Sequence, residues 1–293
     1  MSTTWYHDIV VGIDGSHESL AALDWAARAA DLHRAHLTVV AAYAPPMTPD
    51  PGIGDPIGEL RDQAHRAVQA ARTQLAEHHP EAGDVEFTVT PGAASYVLGQ
   101  RAQTCDLVVV GRRGLGKFDR MVLGSTSSAL AAAAGGAVAV VPAGATTGDP
   151  HRIRVGVGRD DEPDVLGAAF AEANVRGCPL EVFHVTASDP IASAVLEMEP
   201  VAGSWQEAAR AALADRVARW SEKYPRVTCS IVIRRGDTVA ALRNGVTTDD
   251  LVIVGGRRHS RAMGRMLGSV PDALLRSAPC SIMVVHAHHH AHD

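Results

Sequence analysis

The stretch Gly111-Arg112-Arg113-Gly114-Leu115-Gly116-Lys117-Phe118-Asp119-Arg120-Met121-Val122-Leu123-Gly124-Ser125-Thr126 concentrates groups that bind anions. Glycines at 111, 114 and 116 let a backbone approach a ligand closely and adopt positive φ. Amides presented by such a loop form an anion-binding nest. Gly124-Ser125-Thr126 then opens a helical pattern, whose N-terminal amides and dipole also favour phosphate. Arg112, Arg113, Lys117 and Arg120 stand against one carboxylate, Asp119. The chemistry this suits is phosphate binding. The segment is not a GxxxxGK[ST] P-loop, and it departs from GxGxxG because Asp119 follows Gly116 by three places. A surface loop followed by a serine-capped helix is the alternative reading. Phosphoryl transfer needs metal, an oriented water and charge stabilisation together, and only the last is visible here. Asp119, flanked by Arg113 and Arg120, is favoured as a charged partner rather than a general base.

The elements that position this loop alternate in type. Residues 107–110 before it and 9–13 near the start are short β-branched runs suited to strands buried on both faces. Asp14-Gly15-Ser16 breaks the first run, and Ser16 can cap the next helix, whose apolar stripe is Leu20, Leu23, Ala27, Ala30 and Leu32. Strands follow at 37–43, 85–90 and 137–141, with helices at 59–78, 93–103 and 125–134. The long helix carries Arg61, Asp62, His65, Arg66 and Arg72 as a solvated face. The Pro/Gly-rich loop 45–58 is longer than usual connections and is suspected of function. Strands joined by crossover helices demand a parallel sheet covered on both faces. Ligands of such sheets sit at the carboxyl ends of strands, where strand order reverses.

The chain repeats itself. His7-Asp8-Ile9-Val10-Val11-Gly12-Ile13-Asp14 is matched by His151-Arg152-Ile153-Arg154-Val155-Gly156-Val157-Gly158, and Asp106-Leu107-Val108-Val109-Val110-Gly111 by Asp250-Leu251-Val252-Ile253-Val254-Gly255. Leu123-Gly124-Ser125 is matched by Leu267-Gly268-Ser269, and every pair is 144 positions apart. A constant offset across separate motifs means a duplicated globular domain rather than a solenoid. The seam falls in residues 143–150, giving domains 1–147 and 148–293. The second half repeats the element order, with a loop at 188–203 and a long helix at 205–223.

Composition narrows the classes. With 293 residues, 46% hydrophobic and 20% charged, the chain can bury a core and is neither disordered nor a coiled coil. A net charge of −6 argues against general nucleic-acid binding, which needs excess cations. No apolar run reaches the ~18–20 residues of a membrane span. Residues 1–8 lack a basic and apolar leader pattern, so a cytoplasmic protein is expected. Cys105, Cys178, Cys229 and Cys280 are widely spaced and read as reduced, mostly buried residues. Trp205 and Trp220 read as packing anchors. Five histidines within 286–292 form a tail whose imidazoles could bind metal, although no metal site is assigned.

The spacing Gly111-x2-Gly114-x9-Gly124-Ser125, together with Val10-Val11-Gly12-Ile13-Asp14-Gly15-Ser16, resembles the ATP-binding universal stress proteins. The resemblance covers the whole chain as a tandem pair of such domains. It implies two five-stranded parallel sheets of order 3-2-1-4-5, paired as a pseudo-dimer, with homodimerisation a further expectation. It implies ATP, with Mg²⁺ as a companion, held between the first and fourth strand ends. On this resemblance Gly12, Ile13 and Asp14 flank the adenosine, and the backbone at Ala42 meets the base. Gly111, Arg112, Arg113, Gly114, Leu115, Gly116 and Lys117, with Gly124, Ser125 and Thr126, hold ribose and phosphates. An Asx-turn or helix cap is the other reading of Asp14.

The candidate second nucleotide site comprises Gly156, Val185, Gly255, Gly256, Arg257, Arg258, Gly268, Ser269 and Val270. It departs from the pattern, with Arg258 where the second motif glycine belongs and Gly158 where the acid belongs. The expected function is a nucleotide-dependent regulator of stress response or growth that acts through a protein partner. The alternatives are a slow ATPase or autophosphorylating enzyme using Ser125, Thr126, Ser127 or Ser128, and an interaction scaffold with vestigial sites.

Overall fold

The computed structural model describes residues 5–44, 56–115, 123–158, 163–186, 204–256 and 269–286. In the first half β1 (Asp8–Ile13), α1 (His17–His33), β2 (His36–Tyr43), α2 (Pro56–His78) and β3 (Val85–Pro91) come first. They are followed by α3 (Ala94–Arg101), β4 (Leu107–Gly111), α4 (Ser125–Ala133) and β5 (Ala137–Val141). The second half opens with β6 (Arg152–Gly156), α5 (Pro163–Arg176), β7 (Leu180–Thr186), α6 (Ser204–Lys223) and β8 (Cys229–Arg235). It closes with α7 (Thr238–Arg243), β9 (Asp250–Gly255), α8 (Ser269–Ser277) and β10 (Ser281–Val285).

Each half has the expected order, but the expected two sheets are one. The strands run β3-β2-β1-β4-β5-β10-β9-β6-β7-β8 in a single ten-stranded sheet. All neighbours are parallel except β5 and β10, which pair antiparallel from Ala137↔Val285 to Val140↔Ile282. The physical reason is that β5 and β10 are apolar strands buried along their whole length. An open edge there would expose unpaired backbone groups to water, and each half supplies the other's missing neighbour.

Alternation along the strands sends side chains to two layers. Ile9, Val11 and Ile13 face α1, α2, α5 and α6, whereas Val10, Val108 and Val110 face α3, α4, α7 and α8. Close packing at one glycine recurs in both halves. A Cβ on Gly12 would lie 2.5 Å from Leu98 Cδ1, and one on Gly156 2.9 Å from Leu242 Cδ1. The glycine lets the short helix after β3 or β8 press directly on the first strand of its half. The loop 45–58 lies mostly outside the described residues, and α2 begins at Pro56, three residues before the expected start.

The layer holding α1 and α5 contains an ionic cluster between the halves. Glu172 and Arg176 of α5 are buried, with Arg176 Nε donating to Glu172 Oε2 at 2.6 Å. His33 Nε2 of α1 lies 3.2 Å from Glu172 Oε1. The Arg176 guanidinium sits 4.8 Å above the Trp25 ring. Tyr6 covers His33 and donates its hydroxyl to Met283 Sδ at 3.3 Å. Trp220 meets expectation as a packing residue, edge-on to Trp5 at 5.7 Å and stacked on Tyr224. The Trp205 side chain lies outside the described residues. Burial also pushes all four cysteine thiols up, Cys105 and Cys280 to about 12 and Cys178 and Cys229 to about 11.

Burial pushes the Glu172 carboxyl up, but Arg176 and then His33 outweigh it and hold it at about 2. The group therefore binds fewer protons in the folded chain than in the unfolded one, where its ordinary value is 4.5. Its contribution to stability is present above about pH 4.5 and is lost as pH falls toward 2. Glu172→Ala should cost about 3–5 kcal/mol at neutral pH, because it leaves Arg176 buried without its carboxylate. Denaturant unfolding should show that deficit shrinking as pH is lowered through this window.

Candidate functional site

The strand order reverses between β1 and β4, and the carboxyl ends of these strands diverge there. A cleft of about 370 Å³ opens at that point, within the size range of small-molecule sites. Gly12, Ile13 and Asp14 form one wall, and Gly111, Arg113, Gly114 and Leu115 the opposite one. Ala42 closes the side toward β2, and Gly124, Ser125 and Thr126 close the end at α4. The structure thus brings these sequence-predicted residues together. Gly116 and Lys117 lie outside the described residues, as do Asp119 and Arg120.

The loop after β4 is docked on the turn after β1 by two carboxylates. Asp14 Oδ1 accepts the Ser16 N–H at 2.9 Å, which is the Asx-turn, and Asp14 Oδ2 accepts the Leu115 N–H at 2.9 Å. Both readings of Asp14 are therefore compatible with its place, since it shapes its own turn and lines the cleft. Gly114 is required by this contact, because a Cβ there would stand 2.2 Å from Asp14 Oδ2. Four residues on, Glu18 Oε2 accepts the Arg113 N–H at 2.5 Å. Glu18 Oε1 accepts from Arg113 Nη2 at 2.6 Å and Nε at 3.0 Å.

Arg112 goes elsewhere. It does not line the cleft, and its backbone ties the start of α4 to β5, with Arg112 N–H on Val141 O, and Gly124 N–H and Ser127 Oγ–H on Arg112 O. Its side chain donates to the carbonyl of Ala278 in the second half. The serine cap of the alternative reading is not formed at the following helix. The N-cap of α4 is Gly124, with no side-chain cap bond, whereas α1 is capped as expected by Ser16. The first helical amide of α4 to bond is that of Ser128, to Gly124 O at 2.9 Å. The amides ahead of it, at the cleft end, have no helical acceptor.

Glu18, Gln63 and Leu98 shape the site and were not singled out in the sequence. Glu18 reads there as an ordinary first-turn acid, and its partner is 95 positions away. Gln63 reaches the cleft from α2, and Leu98 from α3. Leu98 and Glu18 each carried a signal in the repeat, matched 144 positions on by Leu242 and Glu162, whereas Gln63 is replaced there by Glu207.

The second half is laid out differently at the same place. Val40 pairs with Gly12 and lines the first cleft. Its counterpart by register is Phe183, which pairs with Gly156, is buried, and carries the Arg154 guanidinium 4.3 Å from its ring centre. Val185 lies two residues further along β7. Gly255 ends β9, and Gly256 lies under the His286 ring, whose Nε2 is 2.9 Å from Ala131 O of the first half. His286 is thus a buried residue of the seam, and 287–293 lie outside the described residues. Ser269 and Val270 open α8, while Arg257, Arg258 and Gly268 lie outside the described residues.

A parallel α/β sheet with a cleft at its switch point, duplicated head to tail, defines a class of ligand-binding fold. Within that class the chain belongs to the universal stress protein family, whose model matches residues 6–142 and again 150–286. A universal stress protein of Mycolicibacterium smegmatis is 32% identical over 290 residues, covering 95% of this chain and 97% of that protein. One from Mycobacterium tuberculosis strain H37Rv is 32% identical over 292 residues, covering 95% and 96%. Among solved structures, a universal stress protein from Archaeoglobus fulgidus superposes with a TM-score of 0.65 at 17% identity, covering 95% of this chain and 98% of that one. That last likeness is one of fold. No described helix is long and apolar enough to cross a membrane.

The contact between Gly114 and Asp14 yields a test that needs no ligand. Gly114→Ala should push the loop off the carboxylate and free the Leu115 amide. Its hydrogen exchange should accelerate by roughly tenfold or more, the loss of about 1.4 kcal/mol of local protection. Amides of β1 should keep their protection.

Proposed function

We propose that the protein binds an adenine nucleotide, ATP with Mg²⁺, in the first-half cleft and acts as a nucleotide-dependent regulator of a protein partner. The observation that carries this reading is the cleft's division into two chemistries. Val40, Ala42, Leu98 and Val110 offer apolar contact at one side, suited to a base. The uncapped start of α4 with the Ser125 and Thr126 hydroxyls stands at the other, suited to phosphate. Asp14, on the β1 wall, is the acid available to a ribose hydroxyl or a phosphate-bound cation.

Binding rather than turnover is favoured by what the nearby polar groups already do. Asp14 and Glu18 both accept loop amides, and Ser127 Oγ is engaged by the carbonyls of Arg112 and Gly124. A regulator of this kind works through the loop after β4, whose docking on β1 a ligand would change. One nucleotide per chain is expected, because Phe183 stands in the second half where Val40 leaves space in the first.

The test is the nucleotide content of freshly purified protein, denatured and resolved by chromatography. A ratio near one per chain should fall to zero in Gly111→Ala with Gly124→Ala. A Cβ at 111 would stand 2.8 Å from the Glu18 backbone, and one at 124 would stand 3.0 Å from Arg112 O. A ratio near zero that persists after incubation with ATP and Mg²⁺ would sink the reading.

A further inference from the structure

The loop after β4 is rich in anion-binding groups, yet two of its donors already hold an anion. The Arg113 amide and guanidinium both point to Glu18, through bonds of 2.5, 2.6 and 3.0 Å. The Glu18 side chain is only 9% exposed, and its two oxygens are both engaged, Oε1 by the guanidinium and Oε2 by the amide, so this is a partly sheltered, charge-assisted contact. Arg113 lines the cleft, which places the pair at its phosphate-facing wall. The neighbouring arginine, Arg112, is committed to Ala278 across the seam. The first turn of α4 starts at Gly124 with no side-chain cap bond, while what Arg113 offers is held by an internal carboxylate.

We infer that Glu18 determines how much anionic charge the cleft accepts. It acts as a built-in competitor for the Arg113 amide and guanidinium. This inference rests on the proposed phosphate-binding reading but goes beyond it, because it assigns selectivity to a residue outside the loop. A ligand with one phosphate can use the start of α4 and leave the pair intact. A ligand with a polyphosphate chain long enough to reach Arg113 meets the Glu18 charge and must displace its carboxylate. Glu18 lies in the first turn of α1, four residues after Asp14, directly beyond the β1–α1 turn that docks the loop. Exchange of Arg113 from Glu18 to a phosphate would thus release one of the two tethers between the loop and that turn.

The probes are sodium tripolyphosphate, ATP and adenosine, titrated calorimetrically into the full chain and its variants. Glu18→Gln keeps an acceptor but removes the charge. It should tighten tripolyphosphate and ATP binding by roughly five- to tenfold, about 1–1.4 kcal/mol, and leave adenosine unchanged. In an Arg113→Met background the same substitution should gain less than about twofold, because the contested group is gone. A Glu18→Gln chain that keeps its melting temperature yet binds tripolyphosphate no more tightly would overturn the inference. So would an equal gain for adenosine, or a gain that survives Arg113→Met.

A measurement on the unmodified chain guards against a variant that fails to fold. The Arg113 amide and Nε–H resonances should shift on saturation with tripolyphosphate, and their constancy would refute displacement. The two readings fail separately. Tripolyphosphate binding without adenosine binding would leave Glu18's role standing and remove the nucleotide. Adenosine binding with no response to polyphosphate in either chain would do the reverse.

Discussion

The antiparallel pairing of β5 with β10 is the contact on which the rest of the molecule depends. Five strands with helices on both faces still leave two open edges, and in each half the strand at one of those edges is buried along its whole length and apolar but for Ser281. Joining them converts two marginal edges into the middle of a single sheet. It also brings α1 against α5, which is why Glu172 can be buried with partners from both halves. The same junction is crossed in both directions near the loops that follow β4 and β9. Arg112 reaches the carbonyl of Ala278, and His286 approaches that of Ala131. The cleft wall of the first half is therefore built partly against the second.

Much of this was legible in the residues, for identifiable reasons. Runs such as Leu107–Gly111 are short, β-branched and bounded by glycine, so buried parallel strands were the economical reading. The 144-residue offset carried the duplication, and the resemblance carried by the glycine spacing implied the strand order within each half. The first-half wall residues were legible because glycine spacing reflects close approach, as at Gly12 and Gly114. What was hidden is whatever depends on contact between distant segments. Arg112 and Arg113 are adjacent and identical in type, yet one leaves for the other half and the other folds back on Glu18. No local pattern distinguishes them. The fusion into ten strands was hidden for the same reason, since an edge strand and an interior strand of this composition look alike.

The two halves also show how a duplicated fold loses symmetry without losing its frame. The glycine–leucine contact at the first strand is retained in both, because it sets how a helix seats on the sheet. The residues beside it have diverged. Val10 becomes Arg154, which is buried and donates to the carbonyls of Leu242 and Asn244 at the end of α7. Val40 becomes Phe183 beneath that guanidinium. Val40 lines a cleft in the first half, whereas Phe183 packs under Arg154 in the second and Arg154 bonds the end of α7. Sequence comparison at the fixed offset misses this substitution, because β7 keeps the register of β2 but lies 143 rather than 144 positions after it in the chain.

The antiparallel seam has a geometric corollary. Strands in the first half end on one rim of the sheet, and those in the second end on the opposite rim. The two switch points therefore face away from each other, separated by at least the length of a five-residue strand, roughly 17 Å. Whatever approaches the open mouth after β1 and β4 meets, beside it, the amino ends of the second half's strands and the Cys280 turn. Each rim thus sets the carboxyl ends of one half beside the amino ends of the other, and the two rims differ in the residues that line them rather than in their architecture.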